Sequence, residues 1–187
     1  SCYNVGLFYA KQSQPEKAEK YYFIAIEIYE YLAKKDSDTY EPYLAQSYSC
    51  MGITHDQQGQ PKKAEKYFLD AIGIRECLVE KNADAYEPAL ATSYNSAGVF
   101  YHKHGQSSKA EKYYLAAIEI RERLAEKNAD VYEPALATLY YNYYLLKKDK
   151  TYLDKAYEIA KRRQDDPRCG KLVKDIESML KYITQKQ

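Results

Sequence analysis

The chain repeats its own sequence with a period of 46 residues, and this repetition constrains the fold more than any other feature. The segment EKNADAYEPALATSYN begins at Glu80 and EKNADVYEPALATLYY begins at Glu126, with thirteen of sixteen positions identical. The motif KAEK begins at Lys17, Lys63 and Lys109, again in steps of 46. A repeat of this length is typical of stacked arrays, in which each unit buries its hydrophobic face against the next unit.

Apolar residues within each unit follow the spacing of a helix. In residues 107–127 the inward-facing set recurs at intervals of three and four residues: Ala110, Tyr113, Tyr114, Ala117, Ile118, Arg121 and Leu124. A preceding helix is predicted over about residues 88–104, and Gly105 with Gln106 separates the two helices. Only 7 Gly and 6 Pro occur in 187 residues, so few helix breakers are present. Each unit is therefore predicted to be a helical hairpin.

The small and aromatic residues of these hairpins resemble the signature of the tetratricopeptide repeat. In a 34-residue frame counted from Ala91, positions 4, 8, 11, 20, 24 and 27 are Tyr94, Gly98, Tyr101, Ala110, Tyr114 and Ala117. The same positions of the preceding unit are Tyr48, Gly52, His55, Ala64, Phe68 and Ala71. The first unit supplies Gly6, Tyr9, Ala18, Tyr22 and Ala25, with Cys2 in place of the first aromatic. The long period resembles the lengthened repeats of the kinesin-light-chain type.

The resemblance implies an all-α fold, a right-handed superhelical array of antiparallel helical hairpins. We expect one tetratricopeptide-like domain over residues 1–187, with four repeats at 1–40, 41–86, 87–132 and 133–166. The first repeat has a truncated first helix, because SCYNVGLFY aligns with Ser93–Tyr101, and we expect the chain to belong to a longer array. The fourth repeat is degenerate, since Tyr144 replaces the signature glycine.

Residues 167–187 are predicted to form a C-terminal capping helix, which stacked arrays need to shield their last hydrophobic face. Its predicted apolar stripe is Leu172, Val173, Ile176, Met179, Leu180 and Ile183.

The three histidines are interpreted as structural residues. His102 and His104 are two residues apart on a predicted helix, so their side chains point about 200° apart and cannot chelate one metal ion. His55 falls on a core position of its repeat. No metal site is predicted.

Two pairs of carboxylates, Asp84 with Glu87 and their copies Asp130 with Glu133, have the spacing of an acid–base site. They also fit a helix start, either with the aspartate as N-cap or with the glutamate as N-cap before a proline at the first helical position. The helix start is the favoured interpretation. No phosphate-binding loop or nucleophile motif accompanies them. We therefore predict no catalytic residues, no cofactor and no enzyme activity.

Charge and composition exclude further classes. The chain carries 28 Lys and Arg against 27 Asp and Glu, a net charge of +1, and so lacks the basic excess of a nucleic-acid-binding protein. The sequence has no run of about 18 apolar residues, so no membrane-spanning helix is predicted. The cysteines, which form no C-x-x-C pair, are interpreted as free thiols of a reducing compartment, and this favours the cytoplasm: Cys2, Cys50, Cys77 and Cys169.

The resemblance also implies where a partner binds, because certain first-helix positions line the concave surface in this family. The predicted partner-binding residues along that groove are Tyr3, Leu7, Gln46, Ser49, Ile53, Thr92, Asn95, Val99, His102, Tyr141, Asn142 and Leu145. They mix apolar side chains with amides and hydroxyls, which suits an extended or helical peptide. For any one of these residues, a solvated face is the alternative.

Two functions remain open at this point. The first is a non-catalytic scaffold that binds a peptide or protein segment along the groove. The second is a structural spacer or a self-associating array module, in which the open N-terminal repeat stacks on another chain. The sequence does not identify the partner.

Overall fold

The computed structural model describes the backbone of residues 1–184 and the side chains of residues 1–181. Within these residues the chain is all-α and has no strand, so the predicted fold class is confirmed. The helices are α1 (Cys2–Lys11), α2 (Pro15–Ala33), α3 (Ser37–Gln57), α4 (Pro61–Lys81), α5 (Ala83–Lys103), α6 (Ser107–Lys127), α7 (Ala129–Lys147), α8 (Lys150–Arg162) and α9 (Pro167–Thr184). They form two compact units, Ser1–Phe100 and the residues from Tyr101 onward.

Helices α5 and α7 begin earlier than the sequence predicted. The amide N–H of Ala85 donates to the Asn82 side-chain oxygen at 3.2 Å, and the N–H of Val131 donates to that of Asn128 at 3.3 Å. These asparagines therefore fill the capping role. The prediction that the nearby aspartates or glutamates are N-caps is wrong, and Pro88 lies inside α5. A single residue separates α4 from α5 and α6 from α7.

Each hairpin of the first unit is closed by an aromatic ring of the second helix packed on a glycine of the first. An added Cβ on Gly6 would lie 2.7 Å from the Tyr22 ring, and one on Gly52 would lie 3.0 Å from the Phe68 ring. Tyr22 is buried within the core of this unit. The signature glycine is therefore needed for close approach of the helices.

A second ring contact joins the far end of each hairpin. The rings of Tyr9 and Tyr21 stack at 5.5 Å, and the rings of His55 and Tyr67 stack at 5.3 Å in the next hairpin. His55 thus substitutes for a tyrosine in a buried stack, and its predicted core position is confirmed.

A tyrosine–glutamate hydrogen bond links each hairpin to the next within the first unit. The Tyr48 hydroxyl on α3 donates to a Glu30 carboxylate oxygen on α2 at 2.5 Å. The Tyr94 hydroxyl on α5 donates to Glu76 on α4 at 2.6 Å. Each pair lies 46 residues from its counterpart. This tyrosine–glutamate contact, which we call the Tyr–Glu joint, therefore recurs with the same period as the hairpins.

The second unit ends in helix α9, which packs against α7 and α8. Leu172 and Ile176 of the predicted stripe are buried, whereas Leu180 is exposed. The Ile183 side chain and residues 185–187 of the predicted capping helix lie outside the described residues. Cys169, on the same helix, is also buried, and burial raises the pKa of its thiol.

Candidate functional site

The first unit contains two open pockets along its first helices. The first pocket, of about 250 Å³, is lined by Leu7, Ala10, Lys11, Tyr22, Cys50, Ile53, Thr54 and Gln57. The second pocket, of about 200 Å³, is lined by Ile53, Asp56, Phe68, Asn95, Ser96, Val99 and Phe100. Ile53 belongs to both pockets, so they are neighbours on one surface.

The two pockets are the same structural feature in successive repeats. Six lining residues of the first stand 46 positions before six of the second: Leu7 and Ile53, Ala10 and Asp56, Tyr22 and Phe68, Cys50 and Ser96, Ile53 and Val99, Thr54 and Phe100. Each pocket therefore combines the ring that closes a hairpin with aliphatic side chains from two consecutive first helices. Such apolar clefts with a few polar groups are suited to holding a side chain of a ligand.

The pockets differ in their polar residues. The first has the Lys11 ammonium and the Cys50 thiol, whereas the second has the Asp56 carboxylate and the Asn95 amide. The two pockets thus share equivalent apolar lining residues but differ in the polar side chains around them.

The structure brings some of the predicted groove residues together and separates others. Leu7, Ile53, Asn95 and Val99 line the pockets, and Ile53 and Val99 expose much of their side chains. Gln46 and Thr92 are exposed outside these two pockets, and Tyr3 is half-buried. The remaining predicted residues other than Ser49 lie half-buried in the second unit: His102, Tyr141, Asn142 and Leu145.

Ser49 is buried and accepts a hydrogen bond from the side chain of Arg75, an interaction that the sequence prediction missed. Its hydroxyl donates to the Ala45 carbonyl oxygen at 3.1 Å and accepts from Arg75 Nη1 at 2.9 Å. Arg75, which is only 4% exposed, also donates to the Ser93 hydroxyl, and its Nη2 donates to the Gln46 side chain at 2.8 Å. Burial lowers the pKa of the guanidinium. The three hydrogen-bond acceptors hold α3, α4 and α5 together around one cation.

Tyr3 lies at the edge of the same cluster. Its hydroxyl is 3.7 Å from the Cys50 sulfur, within hydrogen-bonding distance. Burial raises the pKa of Tyr3 to about 12, and Cys50 adds to this effect. The phenol is therefore protonated at neutral pH and can take part in a hydrogen bond with a thiol or with a ligand.

Tyr141, the groove tyrosine predicted in the second unit, is half-buried. Its ring lies 6.4 Å from that of Tyr144. Burial raises the pKa of Tyr141, with smaller contributions from Asp175 and Tyr144. Part of this side chain therefore serves the packing of its own unit.

The described residues contain no group of three or more His, Cys, Asp or Glu side chains placed to hold a metal ion. Among the same residues, no helix is both long and apolar enough to span a membrane.

Paired helices with glycine–aromatic closures and a repeated joint define a helical-repeat protein of the tetratricopeptide class. The tetratricopeptide repeat family model matches residues 44–81 and 90–128. These two segments are therefore tetratricopeptide repeats, and repeats of this kind are protein–protein interaction modules. Comparison with curated protein sequences finds no match.

Solved structures show the same fold at low sequence identity. BtubC (BKLC) from P. vanneervenii aligns with a TM-score of 0.65 and 19% identity over 96% of this chain. The chain spans 63% of the length of BtubC. Two crystal structures described as kinesin-light-chain TPR-like repeats of Podosopora anserina, one of them a point variant, align with TM-scores of 0.60 and 0.59. They share 14% and 15% identity, over 100% and 96% of this chain and 95% and 94% of theirs.

Proposed function

We propose that this chain is a non-catalytic scaffold that binds an extended or helical peptide segment of a partner protein. The observation that carries the proposal is the pair of equivalent pockets that share Ile53. Two apolar side chains of one peptide would occupy the pockets, with Tyr22 and Phe68 packed against them. Burial of aromatic or aliphatic anchors in such clefts is the usual source of peptide affinity.

The charge of the chain supports a protein partner rather than a nucleic acid. A net charge of +1 gives little of the phosphate neutralisation from which nucleic-acid affinity arises. The four cysteines are free thiols, which supports a reducing compartment, and a cytoplasmic location stays a prediction.

A selection from a displayed library of random peptides tests the proposal. Peptides enriched on the wild-type chain are expected to lose roughly tenfold or more in affinity with Ile53→Asp, because a carboxylate at the shared wall opposes apolar anchors in both pockets. The double change Asn95→Ala with Val99→Asp is expected to weaken only peptides that use the second pocket.

Leu69→Asp is the matched control, because Leu69 is also an exposed aliphatic residue but lies outside both pockets. Affinity should be unchanged in this variant, and circular dichroism should show the same helicity in all of them. Peptides that bind Ile53→Asp as well as they bind the wild type would contradict the pockets as the binding site. Failure to enrich any peptide would favour the alternative function, a structural spacer or array module.

The array-module alternative has its own supporting observation. Val5 and Phe8 on α1 are exposed apolar residues in the open first repeat. Self-association through that repeat stays a prediction. A change of molecular mass with concentration in solution would measure it.

A further inference from the structure

Five exposed residues of α4 form a helix face whose spacing is symmetric about Gly73. Lys66 and Leu69 lie seven and four residues before Gly73, and Cys77 and Glu80 lie four and seven residues after it. Steps of three and four residues place all five on one side of the helix, and we name them the α4 face. All five are exposed, with Leu69 at 40%. None of them lines either pocket.

The glycine at the centre of the α4 face departs from the repeat. The positions 46 residues before and after Gly73 are Glu27 and Glu119, and both are exposed on their helices. A Cβ added to Gly73 would have no neighbouring atom within 4 Å, so packing within the described chain does not require glycine here. Glycine weakens an exposed helix by about 1 kcal/mol relative to alanine. It does, however, allow another backbone to approach the helix closely.

Cys77 is a second small residue at a position where the other repeats have large ones. Its counterparts are Tyr31 and Arg123, and both are exposed. Two successive turns of α4 therefore have small side chains, at Gly73 and Cys77, beside the aliphatic Leu69. Among α2, α4 and α6, only α4 thus has a low apolar surface on which another helix can pack at a short interaxial distance.

The two ends of the α4 face carry opposite charges. Lys66 precedes Gly73 and Glu80 follows it, each by about 10 Å along the helix axis. Neither side chain forms an ion pair with another residue that the structure describes. A second α4 face laid antiparallel, with a two-fold axis at Gly73, brings each Lys66 ammonium to a Glu80 carboxylate of the other copy. The same arrangement places each Leu69 side chain against Cys77 of the other copy.

The other second helices do not suit this arrangement. On α2, a two-fold axis at the same position would place Glu27 against Glu27 of the other copy, and on α6 it would do the same with Glu119. Like charges brought together in this way oppose association. In α4 the glycine removes that repulsion. Because the face complements itself in reverse order, a second copy of the chain fits it better than an unrelated helix does.

We propose that the α4 face is a contact surface between two copies of this chain, which pack α4 against α4 antiparallel about a two-fold axis. A single pair of helices falls below the roughly 1,200 Å² of total buried surface that a stable interface needs. The dimer is therefore weak, and its population depends on the concentration of the chain. This contact is separate from the peptide-binding pockets and from the open first repeat.

Sedimentation velocity over a range of chain concentrations tests the proposal. The wild-type chain is expected to pass from monomer to dimer as its concentration rises. Gly73→Glu introduces the residue that the other repeats have at this position. It should weaken dimerisation at least about tenfold, because two carboxylates would meet at the axis. Circular dichroism should show equal or greater helicity, since glutamate favours a helix more than glycine does.

Phe23→Asp is the matched control for a change on the α4 face. Phe23 has on α2 the position that Leu69 has on α4, and both are exposed. Leu69→Asp is expected to weaken dimerisation at least about tenfold, because it removes the apolar contact with Cys77. Phe23→Asp should leave dimerisation unchanged.

Reversal of the charges tests the antiparallel orientation. Lys66→Glu alone and Glu80→Lys alone should each weaken the dimer about threefold or more, because each places like charges together. The double variant should restore the wild-type affinity, since the pairs are again of opposite sign. A double variant as weak as the single variants would contradict the antiparallel contact.

Two outcomes of the sedimentation experiment would overturn the proposal. One is a wild-type chain that stays monomeric at every measured concentration. The other is a dimer that persists in both Gly73→Glu and Leu69→Asp, because a different surface would then join the two copies.

Discussion

Gly73 lies at an exposed position in the middle of α4, where glycine weakens a helix. A Cβ added there would have no neighbouring atom within 4 Å. Gly73→Ala is therefore expected to raise the free energy of unfolding by about 1 kcal/mol, since alanine restricts the unfolded chain and favours the helix. Urea denaturation followed by circular dichroism measures this change.

Gly6→Ala provides the opposite control, because its new Cβ would lie 2.7 Å from the Tyr22 ring. That substitution should lower the free energy of unfolding, since overpacking a core typically costs about 1–3 kcal/mol. Equal effects of the two substitutions would contradict the distinction between an open and a close-packed glycine.

Tyr114 gives the second unit a dependence on alkaline pH. Burial raises the pKa of its phenol to about 12, from about 10 in the unfolded chain. The folded state therefore retains the proton while the unfolded state loses it, and stability present below pH 10 is lost as the pH rises toward 12. Tyr114→Phe is expected to make the decline in the free energy of unfolding between pH 9 and 11 shallower.

Ile118→Val is the control for this pH series, because it alters a neighbouring buried position without changing an ionisable group. It should lower stability by a similar amount at each pH and leave the slope as in the wild type. A slope that Tyr114→Phe does not change would contradict the raised pKa.

The sequence period predicted the inward position of Arg75 but not its hydrogen-bond acceptors. The inward-facing pattern includes Arg121, which is half-buried, and Arg75 stands 46 residues before it. An arginine at an inward position was therefore visible in the sequence. Its acceptors Ser49 and Ser93 could not be identified from the sequence. They belong to two other helices, and a local sequence pattern does not show how close those helices lie to Arg75. For that reason Ser49 was predicted as a groove residue, although it is buried.

At the scale of helices, the Tyr–Glu joints are expected to contribute to the stacking of hairpins. Tyr48→Phe removes the hydroxyl that donates to Glu30 and retains the ring that packs 5.7 Å from Tyr67. The free energy of unfolding should fall by about 1.5–3 kcal/mol, as expected for a hydrogen bond to a charged acceptor. Urea denaturation measures it.

Tyr31→Phe is the matched control for the joint, because Tyr31 is exposed on α2 and its ring is also retained. It should change the free energy of unfolding by less than about 0.5 kcal/mol. A Tyr48→Phe variant as stable as this control would show that the joint does not depend on the hydrogen bond.

Helix identity was predictable in this chain, whereas helix starts were not. The three- and four-residue spacing identified α6 over residues 107–127, which agrees with the structure. The start of α5 was placed at Pro88, although the helix begins at Ala83. Proline lacks the N–H that a helix interior uses, so it suggested a first helical position. The cap instead depends on the Asn82 side chain, and the sequence offered Asp84 and Glu87 as equally plausible caps.

At the scale of the whole molecule, the repeat keeps the joints constant and varies the groove. Glycine–aromatic closures and Tyr–Glu bonds recur 46 residues apart, because each hairpin must fit its neighbour in the same way. The pockets recur at equivalent residues, yet the lining of one includes Lys11 and Cys50 whereas that of the other includes Asp56 and Asn95. Leu7, Ile53 and Val99 were predicted as groove residues because the resemblance to the tetratricopeptide repeat places their first-helix positions on the concave surface. The sequence could not predict the pocket volumes, which depend on how closely two hairpins approach.

Stability in a stacked array is carried by contacts between neighbours, so removing α9 should have a local effect. Helix α9 packs against α7 and α8, and Leu172 and Ile176 are buried there. A chain that ends at Asp166 is therefore expected to show amide exchange at least about tenfold faster in α8 and in the part of α7 that α9 covers. Helices α1 to α3 should exchange at the wild-type rate, because nearest-neighbour terms dominate in repeat proteins. Hydrogen-exchange mass spectrometry measures both regions at once, and a chain lacking only residues 185–187 serves as control. Faster exchange spread evenly from α1 to α8 would show instead that the array unfolds as one cooperative unit.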